Sequence, residues 1–398
     1  MNTGVSQRID RILDLLGPVY RFFSESSYAR RAGDPTISDF AAGNPQELPL
    51  PGFADALARW SVPQNKDWYA YKGSEPEARG VVAESLRRQR GMPFEEEDIF
   101  LTNGAFAALA VVLGTIADPG DEVLFISPPW FFYEALIAAC GARPVRVKVD
   151  PATFDLDLDA ITAAIGERTR AIIVNSPNNP TGKIYPPETL TRLAGILAEA
   201  SERIGRPIYL LSDEAYSRII FDGHTFHSPA GFYPNTFVIY TYGKTLLTPG
   251  QRIGYIALPP RMPDRERMRG ALFVSQLLTG YAFPNALLQH ALPDLERLSI
   301  DVRHLQHKRD WMVSSLREMG YDLHAPEGTF YLLPKSPLAD DLAFVDLLAE
   351  YDIFCLPGTV VEMPGTFRIS LTASDAMIER ALPGFAQAIQ RAPVSSSI

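Results

Sequence analysis

The pattern of apolar and polar positions changes character along this chain. Between Ile99 and Leu258, short apolar runs of strand type alternate with longer stretches of helical period. Ile99–Thr102, Val123–Ile126, Arg143–Val149, Ala171–Val174, Ile208–Leu211, Phe237–Tyr242 and Ile253–Leu258 read as strands. Ala105–Ala117, Phe131–Cys140 and Pro187–Arg203 read as helices. Turn residues such as Asn103-Gly104 and Asp118-Pro119-Gly120-Asp121 separate them. This alternation predicts an α/β unit with a mostly parallel central sheet and flanking helices. Sheets of that kind bind ligands at the carboxyl ends of their strands.

The flanks have a different texture. Ile9, Ile12, Leu13, Leu15 and Leu16 recur at helical spacing, so residues 5–31 predict an amphipathic helix followed by a polar arm. A short strand then ends in Gly43-Asn44-Pro45, and an aromatic-rich segment holds Trp60, Trp68, Tyr69 and Tyr71. Glu75–Arg90 predicts a helix closed by Gly91 and Pro93. Beyond about residue 290, Ala291–Met319 reads as one long charged helix. Pro326–Tyr331 is a turn entering a strand. Ala343–Tyr351 and Met377–Arg391 are helices, and Ile353–Pro357 and Phe367–Leu371 are strands. These elements predict a smaller α+β domain. No internal repeat is evident, and the only low-complexity tract is the tail Val394-Ser395-Ser396-Ser397-Ile398.

Composition narrows the function classes. A chain of 398 residues is long enough for two domains, because single cores stop growing at about 250–300 residues. The formal charge of −10 argues against a non-specific nucleic-acid binder. Cys140 and Cys355 are too few for a disulfide framework and lack metal-site spacing, so no metal is expected and a reducing cytoplasm is the expected location. No apolar run reaches the ~18 residues of a membrane helix, and Met1–Asp10 lacks a signal peptide's apolar stretch.

Three stretches at strand ends carry the chemistry. In Phe237–Thr245 an apolar run stops at one amine, Lys244. Arg252, eight residues on, opens the next run. Upstream lie Asn175-Ser176-Pro177-Asn178-Asn179-Pro180-Thr181-Gly182 and Ser212-Asp213-Glu214-Ala215-Tyr216. A lone lysine at a strand end is usually a solvated end charge, but three such stretches together are not ordinary. In combination they resemble the fold-type I pyridoxal-phosphate enzymes, specifically the class I/II aminotransferases related to aspartate aminotransferase. The resemblance covers roughly residues 35–390.

The resemblance implies a role for each matching residue. Lys244 matches the Schiff-base lysine, and Asp213 the acid that keeps the pyridine nitrogen protonated. A carboxylate suits that task because an opposite charge favours the pyridinium form. Tyr216 and Asn179 match the donors to the ring hydroxylate, with Glu214 flanking. Gly104, Ala105 and Phe106 lie where a strand meets a helix, so their N–H groups suit a phosphate. Arg252 and Thr241 match the other phosphate ligands. The family often has Ser-x-Ser-Lys, whereas here Gly243 precedes Lys244 and supplies no hydroxyl. Trp130 matches the aromatic wall of the ring. Arg368 matches the arginine that takes the substrate α-carboxylate, and Gly43 a glycine whose backbone approaches the substrate. Either Tyr69 or Tyr71 matches a tyrosine that reaches the phosphate of a partner subunit.

The domains implied are an N-terminal arm, 1–48, packing on the small domain; a large cofactor-binding domain, 49–289; and a small C-terminal domain, 290–398. The implied assembly is a homodimer with shared active sites. The implied reaction moves an amino group between an L-amino acid and a 2-oxo acid. The same lysine–aspartate core also serves β- or γ-elimination, as in a C–S lyase or an ACC synthase, and amino-acid oxidation. A non-enzymatic regulator on this fold is a further alternative. A nicotinamide dehydrogenase is disfavoured, since no Gly-x-Gly-x-x-Gly follows a strand. Tyr281, Phe283, Phe330 and Tyr331 either line an aromatic or aliphatic side-chain pocket or belong to the core. No second arginine is assignable to a dicarboxylate.

Overall fold

The computed structural model describes residues 4–392; the tail Val394–Ile398 lies outside the described residues. In chain order the strands are β1 Ser38–Asp39, β2 Ile99–Thr102, β3 Glu122–Ser127, β4 Arg143–Lys148, β5 Thr169–Asn175 and β6 Tyr209–Asp213. They continue as β7 Thr236–Thr241, β8 Gly254–Ala257, β9 Tyr331–Leu332, β10 Ile353–Phe354, β11 Leu356–Pro357 and β12 Phe367–Ser370. Seven of them form the central sheet, in the order β2-β8-β7-β6-β5-β3-β4. β8 runs antiparallel to both neighbours, and the other pairs are parallel.

Side-chain alternation builds the two faces of this sheet. Val123, Phe125, Ala171, Ile173, Leu211 and Ile239 point to one side. There they meet the helix Gly104–Ile116, which is apolar nearly all round because the helix Arg265–Thr279 covers its far side. Leu124, Ile126, Ile172, Val174 and Leu210 point the other way, against Leu190, Leu193 and Leu197 of the helix Pro187–Ile204. That second helix needs only one apolar stripe. It starts on prolines and ends at Gly205 in the left-handed conformation.

A second core gathers Met312, Leu316, Phe344, Phe385 and the strands β9, β11 and β12. The N-terminal segment joins it: β1 pairs in parallel with β10, Ser38 opposite Ile353. Phe330 and Tyr331 share this core with Ala215 and Tyr216, which follow β6. The two packing units therefore touch at the carboxyl end of the central sheet.

The structure corrects three expectations about elements. The long helix 291–319 is two helices, Ala286–Leu295 and Val302–Met319. Asp301 is the reason: its carboxylate accepts from the N–H groups of Arg303 and His304 and starts a new helix there. Residues 5–31 fold as three short helices, Gln7–Leu15, Gly17–Glu25 and Ser27–Arg31, with Ser6 and Ser26 as caps. The helix Arg265–Thr279 has no counterpart in the sequence reading.

Candidate active site

A cleft lies where β5, β6 and β7 end. It is lined by Trp130, Asn175, Asn179, Asp213, Tyr216, Thr241, Lys244 and Arg252, with Ala105 and Phe106 at one rim. Lys244 sits in the single turn Tyr242–Thr245 that follows β7. Its Nζ is 5.6 Å from the ring centre of Tyr216 and 5.7 Å from that of Phe330. Among the described residues it has no ion-pair partner. Two loop amines are engaged instead: Lys183 with Glu327 at 2.7 Å and Lys72 with Glu75 at 3.2 Å.

Asp213 is the last residue of β6 and only 5% exposed. Burial pushes its carboxyl above the ordinary range, and the Tyr133 hydroxyl, the Ala215 N–H and Lys244 oppose that rise. Tyr133 Oη donates to Oδ2 at 2.5 Å, and Ala215 N donates to Oδ1 at 3.2 Å. Asn175, the last residue of β5, locks the adjoining loop: its Nδ2 donates to Asp213 O at 2.9 Å and its Oδ1 accepts from Asn179 N at 2.8 Å. Tyr133 and Asn175 were not among the expected site residues. Their signals were weak, one tyrosine in the aromatic run Trp130–Tyr133 and one asparagine beside two others.

One end of the cleft is a cup of donors. Gly104 opens the helix Gly104–Ile116, and Asn103 offers that helix no side-chain cap, so its first N–H groups face the cleft mouth unclaimed. Gly104 has φ +82°, and a Cβ there would stand 2.8 Å from Arg252 Nη2. The glycine is needed for both reasons. Arg252 donates to Pro249 O at 2.7 Å and has no acidic partner among the described residues. Burial depresses its guanidinium, with Tyr281 only partly opposing. Thr241 Oγ1 lies on the same side, 3.4 Å from that hypothetical Cβ of Gly104. Trp130 walls the cleft, its ring centre 5.0 Å from that of Phe106 and 5.2 Å from that of Phe132.

The opposite end is built across the two packing units. Arg368, on β12, is 2% exposed. It donates to Asn179 Oδ1 at 3.1 Å and to Ala41 O at 3.0 Å, and its guanidinium lies 4.1 Å from the Tyr331 ring centre. Its Nε is buried without a partner. Tyr331 and Tyr216 are buried side by side, their ring centres 6.0 Å apart. Burial raises Tyr216 strongly, and the adjoining Tyr331 adds to that. Burial also acts to raise Tyr331, but Lys244, Arg368 and the adjoining Tyr216 outweigh it and hold that phenol below its ordinary range. Gly43, at φ +66°, leaves the room Tyr331 needs; a Cβ there would stand 2.5 Å from Tyr331 Oη.

Two expected site residues are not in this cleft. Tyr69 donates to Ser61 O, and Tyr71 is 89% exposed with its ring 5.1 Å from that of Phe283. Neither lines the cleft of its own chain.

Comparison with known proteins agrees with this arrangement. The model of the family "Aminotransferase class I and II" matches residues 35–385. The aspartate/prephenate aminotransferase of Thermus thermophilus is 31% identical over 91% of this chain and 93% of its own. A probable aspartate/prephenate aminotransferase of Thermus aquaticus is 32% identical over 91% and 93%. Among solved structures, an amino transferase from Eubacterium rectale superposes with a TM-score of 0.86 at 29% identity, covering 98% of each chain. The Thermus thermophilus aspartate aminotransferase with maleate superposes with a TM-score of 0.81 at 28% identity, covering 97% of this chain and 99% of that one. With the family match spanning most of its length and a lysine, an aspartate and two arginines meeting at the sheet's carboxyl end, this chain belongs to the class I and II aminotransferases and is an enzyme of amino-acid transamination.

Proposed function

We propose that the enzyme moves an amino group between an L-amino acid and a 2-oxo acid by means of pyridoxal 5′-phosphate held in this cleft. One observation carries the reading. Three ionisable groups share the cleft, and none of them forms an ion pair among the described residues: the amine of Lys244, the exposed guanidinium of Arg252 and the buried carboxyl of Asp213. A buried charge such as that of Asp213 is normally paired. An aldehyde, a phosphate and a ring nitrogen that can carry a proton match the three in turn. The residues therefore fit the cofactor.

When bound, pyridoxal phosphate supplies an aldehyde that captures the amino group and a ring that draws electrons from the substrate's Cα. Lys244 holds the cofactor at rest, then takes the Cα proton and returns it on the other side of the exchange. Asp213 keeps the ring nitrogen protonated, and Tyr133 keeps Asp213 ionised and oriented. Tyr216 and Asn179 offer donors to the ring oxygen. Thr241, Arg252 and the N–H groups at Gly104, Ala105 and Phe106 take the phosphate. Trp130 packs on the ring. Arg368, with a buried donor still free, takes the α-carboxylate as a planar fork, with Gly43 beside it.

In this reading residues 49–289 form the cofactor-binding domain, and 1–48 with 290–398 form the body that brings Arg368. A homodimer completes the site. Phe273, Val274, Leu277 and Leu278 leave an exposed apolar face on the helix Arg265–Thr279, and Tyr71 and Phe283 stand free nearby. A patch of that kind marks an interface, and either Tyr69 or Tyr71 would reach the partner's phosphate across it. Sedimentation at twice the 44.0 kDa chain mass tests the dimer. Two free cysteines favour the cytoplasm, and no described helix is long and apolar enough to cross a membrane.

Reductive trapping of the loaded enzyme with borohydride, followed by peptide mapping, tests the cofactor reading. Label on Lys244 is the expected result. Label on Lys183 or Lys72 would overturn it.

A further inference from the structure

We infer that the side chain of the preferred amino acid is bulky and apolar, aromatic or branched aliphatic, and that dicarboxylic amino acids are poor substrates. The inference rests on the cofactor reading above. It concerns what is left of the cleft once that reading has assigned its charges.

A dicarboxylic substrate brings a second carboxylate, which needs a second cation or several donors inside the site. The cleft and its rim hold Lys244, Arg252 and Arg368, and the reading spends all three. Three cations on flanking elements are already paired. Lys308 is bound to Glu47 at 3.0 Å and to Ala373 O at 2.9 Å. Lys183 is held by Glu327 at 2.7 Å, and Arg146 lies between Glu134 at 2.8 Å and Glu362 at 2.6 Å. Each of these pairs would have to break to supply a second cation to the site.

The remaining wall is aromatic. Phe106 meets Trp130 edge-on at 5.0 Å and Phe132 at 5.2 Å, and Phe131 packs on Phe132 at 4.8 Å. Phe106 is still 36% exposed and makes no polar contact that would explain a phenylalanine at a helix start. An exposed aromatic rim of this kind favours apolar surface over charge. The face proposed to meet a second copy adds the apolar side chains Tyr71, Leu278 and Phe283, and Lys72 there is paired with Glu75. The cleft thus differs from what the names of the aspartate/prephenate relatives would suggest.

The test is the single half-reaction of the purified holoenzyme, followed by the absorbance of its bound cofactor, with L-phenylalanine, L-leucine, L-aspartate and L-glutamate offered separately. No acceptor is present, so its specificity does not enter. Phenylalanine or leucine should react at least about tenfold faster, per concentration, than either dicarboxylic acid. Aspartate or glutamate matching the better apolar donor would overturn the inference. If no donor changes the absorbance, the cofactor reading itself fails, which is a different result. Phe106→Ala supplies the second arm. Absolute rates are free to fall, but the ratio of phenylalanine to L-alanine should drop about tenfold, because only the larger side chain reaches the rim. An unchanged ratio would remove Phe106 from the specificity wall and overturn the argument from it.

Discussion

The two ends of the cleft hold their arginines in opposite ways. Arg252 lies at an exposed position, has one carbonyl partner, and is depressed by desolvation. Arg368 is almost wholly buried, has two oxygen partners and rests against an aromatic ring. The first is a charge with little scaffolding around it. The second is a charge already scaffolded, with one donor left over. The difference suggests a division of labour. The Arg252 end is a cup made within one sheet and should grip whatever anion enters. The Arg368 end is assembled from β12, the loop at Ala41 and the loop at Asn179, so its geometry reports whether the two bodies are together.

The most severe way to break the comparison is to remove the group between the ends. Lys244→Ala should lower the half-reaction by roughly 10²–10⁴-fold from lost proton transfer alone. It should do so without preference for either end. Added phosphate should still protect the fold, read as a rise in melting temperature, because the cup is untouched. Activity near that of the parent would show that another base acts.

The two arginines can then be separated. Arg368→Lys keeps the charge but loses the fork, and breaking a buried charge-assisted pair costs about 2–5 kcal/mol. Amino acids should lose that much in kcat/KM, while plain amines and the cofactor absorbance should hardly change. Arg252→Ala should do the reverse. Cofactor should dissociate more readily by about 2 kcal/mol, while KM for amino acids at saturating cofactor should stay near the parent value. Crossed effects, such as cofactor loss in Arg368→Lys, would end the division of labour.

A smaller change sharpens the scaffolding argument. Gly43→Ala would place a Cβ 2.5 Å from Tyr331 Oη at a backbone φ of +66°. The left-handed conformation costs an alanine about 1–2 kcal/mol, and Tyr331 must move off Arg368. A rise in KM for amino acids with unaltered cofactor binding is expected. A rise in KM for plain amines as well would mean that the substitution disturbs the whole cleft.

How much of this was legible in the sequence follows the same division. The α/β character was plain, because buried strands such as Ala171–Val174 are unbroken apolar runs bounded by turns. The cup was legible as a group because Thr241, Lys244 and Arg252 lie within a dozen residues. The direction of β8 was not, since strand composition is blind to orientation. The helix Arg265–Thr279 was hidden because Phe273, Val274, Leu277 and Leu278 are apolar yet exposed and blur its period. The break before Val302 rests on one capping aspartate in a charged run. The Arg368 end was the least legible: its partners Asn179 and Ala41 lie 189 and 327 positions away. No local pattern announces such contacts, and Tyr133 reaches Asp213 across 80 positions.

Tyr133 gives the finest test, because its effect depends on pH. Burial raises the Asp213 carboxyl, and the hydroxyl of Tyr133 is the strongest opposing influence. Tyr133→Phe removes that donor but keeps the ring in place. The carboxyl should then rise further, by up to about one unit for the ~1 kcal/mol of one hydrogen bond. Asp213 must be ionised to hold a proton on the ring nitrogen, so the acid limb of the half-reaction should move to higher pH by that amount. Stability follows the same linkage. A carboxyl whose pKa is raised on folding stabilises the fold below its ordinary pKa, and that contribution is lost as pH rises through the raised value. Raising it further makes the loss larger. In cofactor-free protein the variant should therefore unfold at lower denaturant than the parent near about pH 8, with the gap closing well below the carboxyl's ordinary pKa. A gap that is the same at every pH would mean that Tyr133 matters only as packing, and Asp213 would need another explanation for staying ionised in so dry a place.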